Sequence, residues 1–185
     1  QWIEQNPFNN GGGGWAAEPW HQKEMDLTDE LVSEARNKSD KAIVVIGRTA
    51  GEDQDNANES GSYQLTAEEK EMLKQVTAYF EQTVVVLNVS NIIDMSWMND
   101  ESYVHPIASV IYSWHGGMEG GNAIADVLVG EVTPSGKLTD TIAYSIEDYP
   151  STQNYGNEFK NVYQEDIYLG YRYFETFRPE KVQFE

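Results

Sequence analysis

The sequence has 185 residues, 39% of them hydrophobic and 12% aromatic, which is enough for one domain with a full core and excludes bulk disorder. Its 31 acidic and 12 basic residues give a formal net charge of -19, and this balance argues against nucleic acid or an anionic membrane surface as a partner. The absence of cysteine excludes disulfides, thiolate metal sites and cysteine nucleophiles.

Residues 1–27 are rich in glycine and tryptophan. The consecutive glycines at 11–14 have no side chains to pack, and Trp15 and Trp20 follow them. This composition favours an irregular extension whose tryptophans lie on the domain surface, and it leaves open an aromatic platform for a sugar ring or a docking strip for a neighbour. A first helix is then predicted from Thr28, a good N-cap, with acidic residues in its first turn.

Buried strands and amphipathic helices alternate after that helix. The apolar run at 42–46 predicts a strand buried on both faces, and a capping box at Thr66 and Glu69 opens a helix to about Phe80. Further strands are predicted at 83–89, 92–95, 109–114 and 137–143, a helix at 122–129, and an aromatic extended segment at 167–174. The alternation predicts an α/β fold with a mostly parallel sheet covered by helices on both faces.

Motifs for nucleotide and metal binding are incomplete. The glycines at 116–121 lack the dinucleotide-binding spacing because Met118 stands in a glycine position. The stretch 130–137 is not a P-loop because Leu138 follows it where Ser or Thr is required. The histidines are far apart in sequence, and no calcium-loop spacing accompanies the acidic residues, so neither a metal nor a cofactor is predicted.

An acidic loop follows the strand at 42–46. Glu52, Asp53 and Asp55 lie close together just past the carboxyl end of this strand, where functional groups gather in open α/β sheets. A glycosidase needs one carboxyl to protonate the leaving oxygen and another to attack or to activate water. The pKa of the acid must be raised by burial or by nearby negative charge, which the two aspartates can supply. From the residues alone, a sugar site and a solvated acidic turn both stay open.

The order of segments resembles the α/β-sandwich domain of family 3 glycoside hydrolases, the β-glucosidases and their relatives. The matching segments cover roughly residues 40–175: 42–48 (AIVVIGR), 51–55 (GEDQD), 83–88 (TVVVLN), 116–128 (GGMEGGNAIADVL), 134–138 (PSGKL) and 168–173 (YLGYRY). The resemblance implies a three-layer α/β sandwich with a six-stranded, mostly parallel sheet. It divides the chain into an extension with the first helix at 1–38, the sandwich domain at 39–175, and the start of a linker at 176–185.

The resemblance also implies roles for residues of the acidic loop. Glu52 matches the family's general acid/base, and Asp55 and Asn56 fall at substrate-binding positions, although many members have Arg where this chain has Asn56. The family's nucleophile is an Asp on a separate (β/α)8 barrel, and no part of this chain resembles that barrel. The expected protein is therefore a retaining, exo-acting β-glycosidase, of which this chain is an acid/base-bearing fragment that is inactive alone. Its expected partners are β-linked glucosides and the barrel and fibronectin-like domains of the full-length chain.

An alternative of another class is a non-catalytic carbohydrate-binding or interaction module that uses Trp15, Trp20 and the Trp97 region. The sequence opens without an initiator Met, which suggests a piece cut from a longer chain. It has no signal peptide and no apolar run of about 18 residues. With the absence of cysteine, these features favour a cytoplasmic bacterial protein.

Overall fold

The computed structural model describes residues 1–49 and 55–184. The helices are α1 (Trp2–Gln5), α2 (Asp29–Arg36), α3 (Ala67–Tyr79), α4 (Gly120–Leu128) and α5 (Tyr171–Phe177). The strands are β1 (Lys41–Gly47), β2 (Gln82–Asn88), β3 (Ser109–Tyr112), β4 (Ile142–Ala143) and β5 (Val182–Phe184). Short 3-10 turns lie at Ser96–Asn99, Ile146–Asp148, Pro150–Gln153 and Pro179–Lys181. Within the described ranges, no helix is both long and apolar enough to span a membrane.

The chain divides into two compact units, and the first comprises Gln1–Ile93 and Trp97–Pro134. Its centre is a parallel sheet in the order β1-β2-β3, in which Val85 of β2 pairs with Val44 on one side and Val110 on the other. The β-branched runs that predicted these three strands are therefore confirmed. Because all three strands are parallel, their carboxyl ends meet at one edge of the sheet.

Side-chain caps fix the starts of the first two long helices. The Thr28 hydroxyl accepts a hydrogen bond from the N–H of Leu31 at the start of α2. The capping box of α3 is complete, since the Thr66 side chain accepts from Glu69 N–H and the Glu69 side chain accepts from Thr66 N–H. Both helix starts were predicted from the sequence, and both are confirmed. The apolar residues of α3, Met72, Leu73, Val76 and Phe80, are predicted to lie in the core, and all are buried except Met72, which is partly buried.

The two faces of β1 differ in burial. Val44 and Ile46 are buried, and Val44 lines a small cavity with residues of α2 and α3. Ile43 and Val45, on the opposite face, are 55% and 56% exposed. On that side, α4 lines an open apolar groove of about 310 Å³ that includes Val45. The prediction that this strand is buried on both faces is therefore wrong for the described residues.

The expected six-stranded sheet is also corrected. The described residues contain three parallel strands in one sheet and a separate two-stranded antiparallel sheet of β4 and β5. In the predicted strand 137–143 only Ile142–Ala143 pairs, and its partner is β5. In the predicted strand 92–95, the N–H of Ile93 bonds to the side-chain hydroxyl of Tyr112 rather than to the backbone of another strand.

The second unit contains Asp94–Ser96 and the chain from Ser135 onwards. Here the second half of the segment 167–174, which was predicted to be extended, belongs to helix α5, which starts after Gly170 at φ 58°. Phe174 of this helix is fully buried and meets Tyr149 edge to face, with ring centroids 5.4 Å apart. Burial of one aromatic face against the unit thus outweighs the strand propensity of the individual residues.

Candidate functional site

The carboxyl ends of β1, β2 and β3 are joined by hydrogen bonds into a continuous edge. Arg48 N–H donates to Asn88 O at 3.1 Å, and Ser113 N–H donates to Leu87 O at 3.0 Å. His115, which follows β3, lies 3.0 Å from Arg48 O through its Nε2 atom. A carbonyl oxygen can only accept, so Nε2 carries the proton and donates. Arg48, which follows β1, is therefore fixed relative to the end of β2 and to the segment after β3.

Arg48 is the most heavily bonded side chain at this edge. Its guanidinium forms a bidentate ion pair with Glu69, with Nη1–Oε1 and Nη2–Oε2 distances of 2.5 and 2.9 Å. Its other donors reach the carbonyl oxygens of Gly47 (2.8 Å), Ser62 (3.2 Å) and Gln64 (3.3 Å). Only 2% of the Arg48 side chain and 1% of the Glu69 side chain are exposed. All five N–H groups of the guanidinium therefore have protein acceptors, as burial of a charge requires.

Glu69 connects this ion pair to helix α3. Its Oε2 atom also accepts from Thr66 N–H at 2.8 Å, while its own N–H donates to Thr66 Oγ1 at 3.0 Å. The carboxylate thus lies at the helix N-terminus, where the macrodipole favours negative charge. The sequence had indicated Glu69 as a capping residue and had not indicated its pairing with Arg48. Two features of the sequence could have indicated this pairing: an Arg directly after a strand predicted to be buried, and a Glu in the capping box of the next helix.

Two of the predicted site residues, Asp55 and Asn56, are described in the structure. Asp55 is exposed to solvent. The Asn56 amide is partly buried, and its Nδ2 donates to Ile92 O at 3.0 Å while its Oδ1 accepts from Ser62 Oγ at 2.6 Å. Ser62 Oγ in turn accepts from Ala57 N–H at 3.0 Å. Asn56 therefore ties its loop to the segment after β2, a role that the sequence did not indicate.

The predicted acid/base, Glu52, and the neighbouring Asp53 lie outside the described residues. The residues on either side are described and are held in place. On one side Arg48 and Thr49 are bonded, and on the other Asn56 is bonded. The assignment of Glu52 therefore stays a prediction that rests on the resemblance.

The glycine- and tryptophan-rich extension lies against the residue that follows Arg48. Thr49 N–H donates to Trp20 O at 2.8 Å, and Thr49 Oγ1 donates to Pro19 O at 2.5 Å. Further along the loop, Gly61 has φ 82°, and a β-carbon there would lie 2.0 Å from His21 Nδ1. A glycine is required at this position both by the backbone conformation and by the close approach of the imidazole ring. The extension is thus hydrogen-bonded to the chain before the acidic segment and lies close to the chain after it.

The tryptophans proposed as a sugar platform differ in accessibility. Trp15 is 75% exposed, whereas Trp20 is half-buried and Trp97 is only 4% exposed. A buried indole cannot stack on a sugar ring. The Trp97 indole is therefore excluded from a binding platform, and Trp15 is the most exposed of the three tryptophans.

A half-buried carboxyl, Glu24, lies in the electrostatic field of the ion pair. Burial raises the pKa of Glu24 above its ordinary value, and the negative charge of Glu69 adds to the rise. The positive charges of Arg48 and His21 act in the opposite direction. No group of three or more His, Cys, Asp or Glu side chains suited to hold a metal ion occurs in the described part of the chain.

Comparison with known proteins gives consistent matches. A sequence profile of the glycosyl hydrolase family 3 C-terminal domain matches residues 9–171. A β-glucosidase of Ruminococcus albus is 51% identical over 183 residues, which is 99% of this chain and 19% of that protein. A crystal structure of a β-glucosidase from Paenibacillus barengoltzii superposes with a TM-score of 0.95 at 64% identity, covering 100% of this chain and 20% of that one. β-Glucosidase 3B from Thermotoga neapolitana, solved in complex with glucose, superposes with a TM-score of 0.80 at 28% identity, covering 100% of this chain and 26% of that one. The chain spans about a fifth of the length of the Ruminococcus and Paenibacillus enzymes.

Proposed function

Because the chain belongs to glycosyl hydrolase family 3 and matches its C-terminal domain, we propose that it is the acid/base-bearing domain of a retaining, exo-acting β-glucosidase. The substrates would be β-linked glucosides or similar oligosaccharides. The observation that carries the proposal is the match, over nearly the whole chain, to β-glucosidases of which it forms about a fifth. The hydrogen bonds of Arg48 and Asn56, on either side of the acidic segment, support it, since a loop that carries a catalytic group must be anchored at both ends.

In the proposed reaction Glu52 acts twice. It first donates a proton to the glycosidic oxygen while the nucleophile attacks the anomeric carbon, and it then removes a proton from the water that releases the glucosyl-enzyme. The nucleophile is an Asp on a barrel domain outside this chain, and the two carboxyl groups of a retaining enzyme must approach to about 5–5.5 Å. The isolated 185 residues are therefore expected to be inactive.

Asp55 and Asn56 have different capacities for substrate contact. The Asp55 carboxylate is exposed and can accept hydrogen bonds from sugar hydroxyls or orient Glu52. The Asn56 amide already uses its oxygen and one N–H within the protein, which leaves the second N–H for a sugar oxygen. We therefore expect Asp55 to make more hydrogen bonds to the sugar than Asn56.

The test is Glu52→Gln in the full-length protein, with Glu59→Gln as the matched control. Glu59 is an exposed carboxylate later in the same loop. Glu52→Gln should lower kcat/KM on unactivated glucosides by at least about 100-fold, because general acid catalysis typically contributes 10²–10⁴-fold. On an activated aryl glucoside, azide should restore turnover and yield β-glucosyl azide. If Glu52→Gln turns over natural glucosides at the wild-type rate, or if Glu59→Gln loses as much kcat/KM, the assignment of Glu52 as acid/base is wrong.

The second candidate function is a sugar-binding module, and the exposure of Trp15 is the observation that favours it. Stacking on a sugar would change the fluorescence of this indole. Titration of the 185-residue chain with glucose and with cellobiose distinguishes the two functions. The catalytic proposal expects no saturable binding in the millimolar range or tighter. Saturable binding that disappears in Trp15→Ala would favour the module.

A further inference from the structure

We propose that the buried Arg48–Glu69 ion pair is a positioning device for the segment that carries the acid/base, rather than only a stabilising contact. The inference rests on the proposed function, because it takes Glu52 as the group to be positioned. The observation that motivates it is where the acceptors of Arg48 lie along the chain. One is at the end of β1, two are in the loop after the acidic segment, and the last is on α3.

Arg48 therefore joins the two sides of the acidic segment. Residue 48 precedes this segment, while Ser62 and Gln64 follow it, and the guanidinium binds the carbonyl oxygens of both. Ser62 continues the network, since its hydroxyl donates to the Asn56 amide, which is bonded to Ile92 O. The path from β1 through the loop to the segment after β2 consists of buried or partly buried hydrogen bonds with defined geometry.

Stability alone is a weak reason for such an arrangement. Removing two charges from water is costly, and an apolar pair of similar volume often stabilises a core equally well or better. An ion pair has a directional geometry that apolar packing lacks. Five donors in one planar group hold five acceptors on three stretches of chain in one relative position, which Lys, with three donors on a flexible stem, cannot do.

The position of a general acid is critical for its function. The carboxyl must lie within hydrogen-bond distance of the glycosidic oxygen, and a displacement of about 1 Å can lower the rate by about 100-fold. Glu52 is four residues from Arg48 in sequence, so the relative position of the two sides of the loop determines where it can reach. A change at Arg48 should therefore weaken proton donation even when the domain stays folded.

The experiment compares leaving groups in the full-length protein. Arg48→Lys keeps the positive charge and removes the planar group with five donors. Ser62→Ala removes only the hydroxyl that donates to Asn56 in the same network. Val85→Ala is the control. Val85 is fully buried in the middle of β2, so its truncation destabilises the domain without touching the loop. For each variant, kcat/KM is measured with cellobiose, whose leaving group needs a proton, and with 2,4-dinitrophenyl β-glucoside, whose leaving group does not.

Arg48→Lys should lose about 30- to 100-fold on cellobiose and less than about 3-fold on the dinitrophenyl glucoside. Ser62→Ala should show the same selectivity with a smaller loss. Val85→Ala should change both substrates equally at temperatures where it is folded. Equal losses on the two substrates in a folded Arg48→Lys protein, or no loss, would overturn the inference. If Arg48→Lys does not fold, the same criterion is applied to Ser62→Ala.

Glu52→Gln in the same assay separates the inference from the proposed function. If Glu52→Gln shows the leaving-group-dependent loss while Arg48→Lys and Ser62→Ala do not, the positioning role is refuted and the acid/base assignment stands. If Glu52→Gln leaves cellobiose turnover unchanged, the assignment fails, and the positioning role fails with it.

Discussion

Arg48→Met is expected to be among the most destabilising single substitutions in this chain. The change removes two charge-assisted hydrogen bonds to Glu69 and the donors to three backbone carbonyl oxygens. The carboxylate of Glu69 then stays buried with a hydrogen bond from Thr66 N–H. Its loss of solvation is no longer offset by an opposite charge.

The magnitude follows from these contacts. Each hydrogen bond to a charged group contributes about 1.5–3 kcal/mol, so the two to Glu69 contribute about 3–6 kcal/mol. Measured losses on breaking a buried pair are about 3–5 kcal/mol, and we expect about 4 kcal/mol here. For a chain of 185 residues this corresponds to a decrease in Tm of roughly 8–16 °C.

The assay is equilibrium urea unfolding of the 185-residue chain, followed by circular dichroism. Lys38→Met is the matched control, because Lys38 also pairs with an acid, Glu34, but both side chains are mostly exposed. We expect this control to lose less than about 0.5 kcal/mol. If Arg48→Met lowers the free energy of unfolding by less than about 1 kcal/mol, the ion pair with Glu69 does not stabilise the chain on either side of the acidic segment.

The double variant Arg48→Met/Glu69→Leu identifies the source of the loss. With no charge left unpaired, the double variant should lose at least about 3 kcal/mol less than the sum of the two single variants. A loss equal to that sum would show that the three carbonyl contacts and the capping box, rather than the unpaired charge, account for the destabilisation.

Further predictions concern the surroundings of the site. Tyr112→Phe removes the hydroxyl that donates to Asn91 O at 2.6 Å and accepts from Ile93 N–H, and urea unfolding should show a loss of about 1–3 kcal/mol; no change would mean that water replaces the hydroxyl. Gly61→Ala should be more destabilising than Gly130→Ala, because both residues have positive φ but only Gly61 lies against a side chain, that of His21. Equal midpoints of thermal unfolding for the two variants would contradict the steric argument. Glu24→Gln should raise stability at pH 7 by less than about 1 kcal/mol, since the pKa of Glu24 is raised in the folded state and its ionised form therefore opposes folding. The difference should vanish below the ordinary carboxyl pKa, and a gain that persists at pH 3 would contradict it.

Local signals in the sequence account for the parts of the fold that were predicted. The caps at Thr28 and Thr66 act within a single turn, and the β-branched runs of β1 and β2 suit a pleated, partly buried strand. These elements therefore appear close to their predicted bounds. The parallel order of the strands also follows from the helix between them, since parallel neighbours need a crossover connection.

The errors occurred where contacts distant in sequence decide the structure. The residues of α5 are aromatic and match a strand in propensity, but the packing of Phe174 against Tyr149 selects a helix. The exposure of Ile43 and Val45 also depends on what covers the sheet, which the apolar run itself does not encode. The hydrophobic periodicity of a segment indicates which secondary structure it prefers, but it does not indicate which other segments pack against it.

The candidate site has the same dependence on distant contacts. The acidic loop could be located from its position after a strand, but the pairing of Arg48 with Glu69 joins residues 21 apart in sequence. Asn56 shows the consequence. The resemblance placed it beside Asp55 at a substrate-binding position and did not indicate that its amide is bonded to Ile92 O and Ser62 Oγ.

The acceptors of Arg48 explain which substitutions the loop base can tolerate. Three of them are backbone carbonyl oxygens, of Gly47, Ser62 and Gln64, which every residue supplies. The side chain at 64 can therefore vary without loss of these contacts, whereas no other side chain can replace the five donors at position 48. The relative position of residues 47, 62 and 64 is thus set by the fold and one guanidinium.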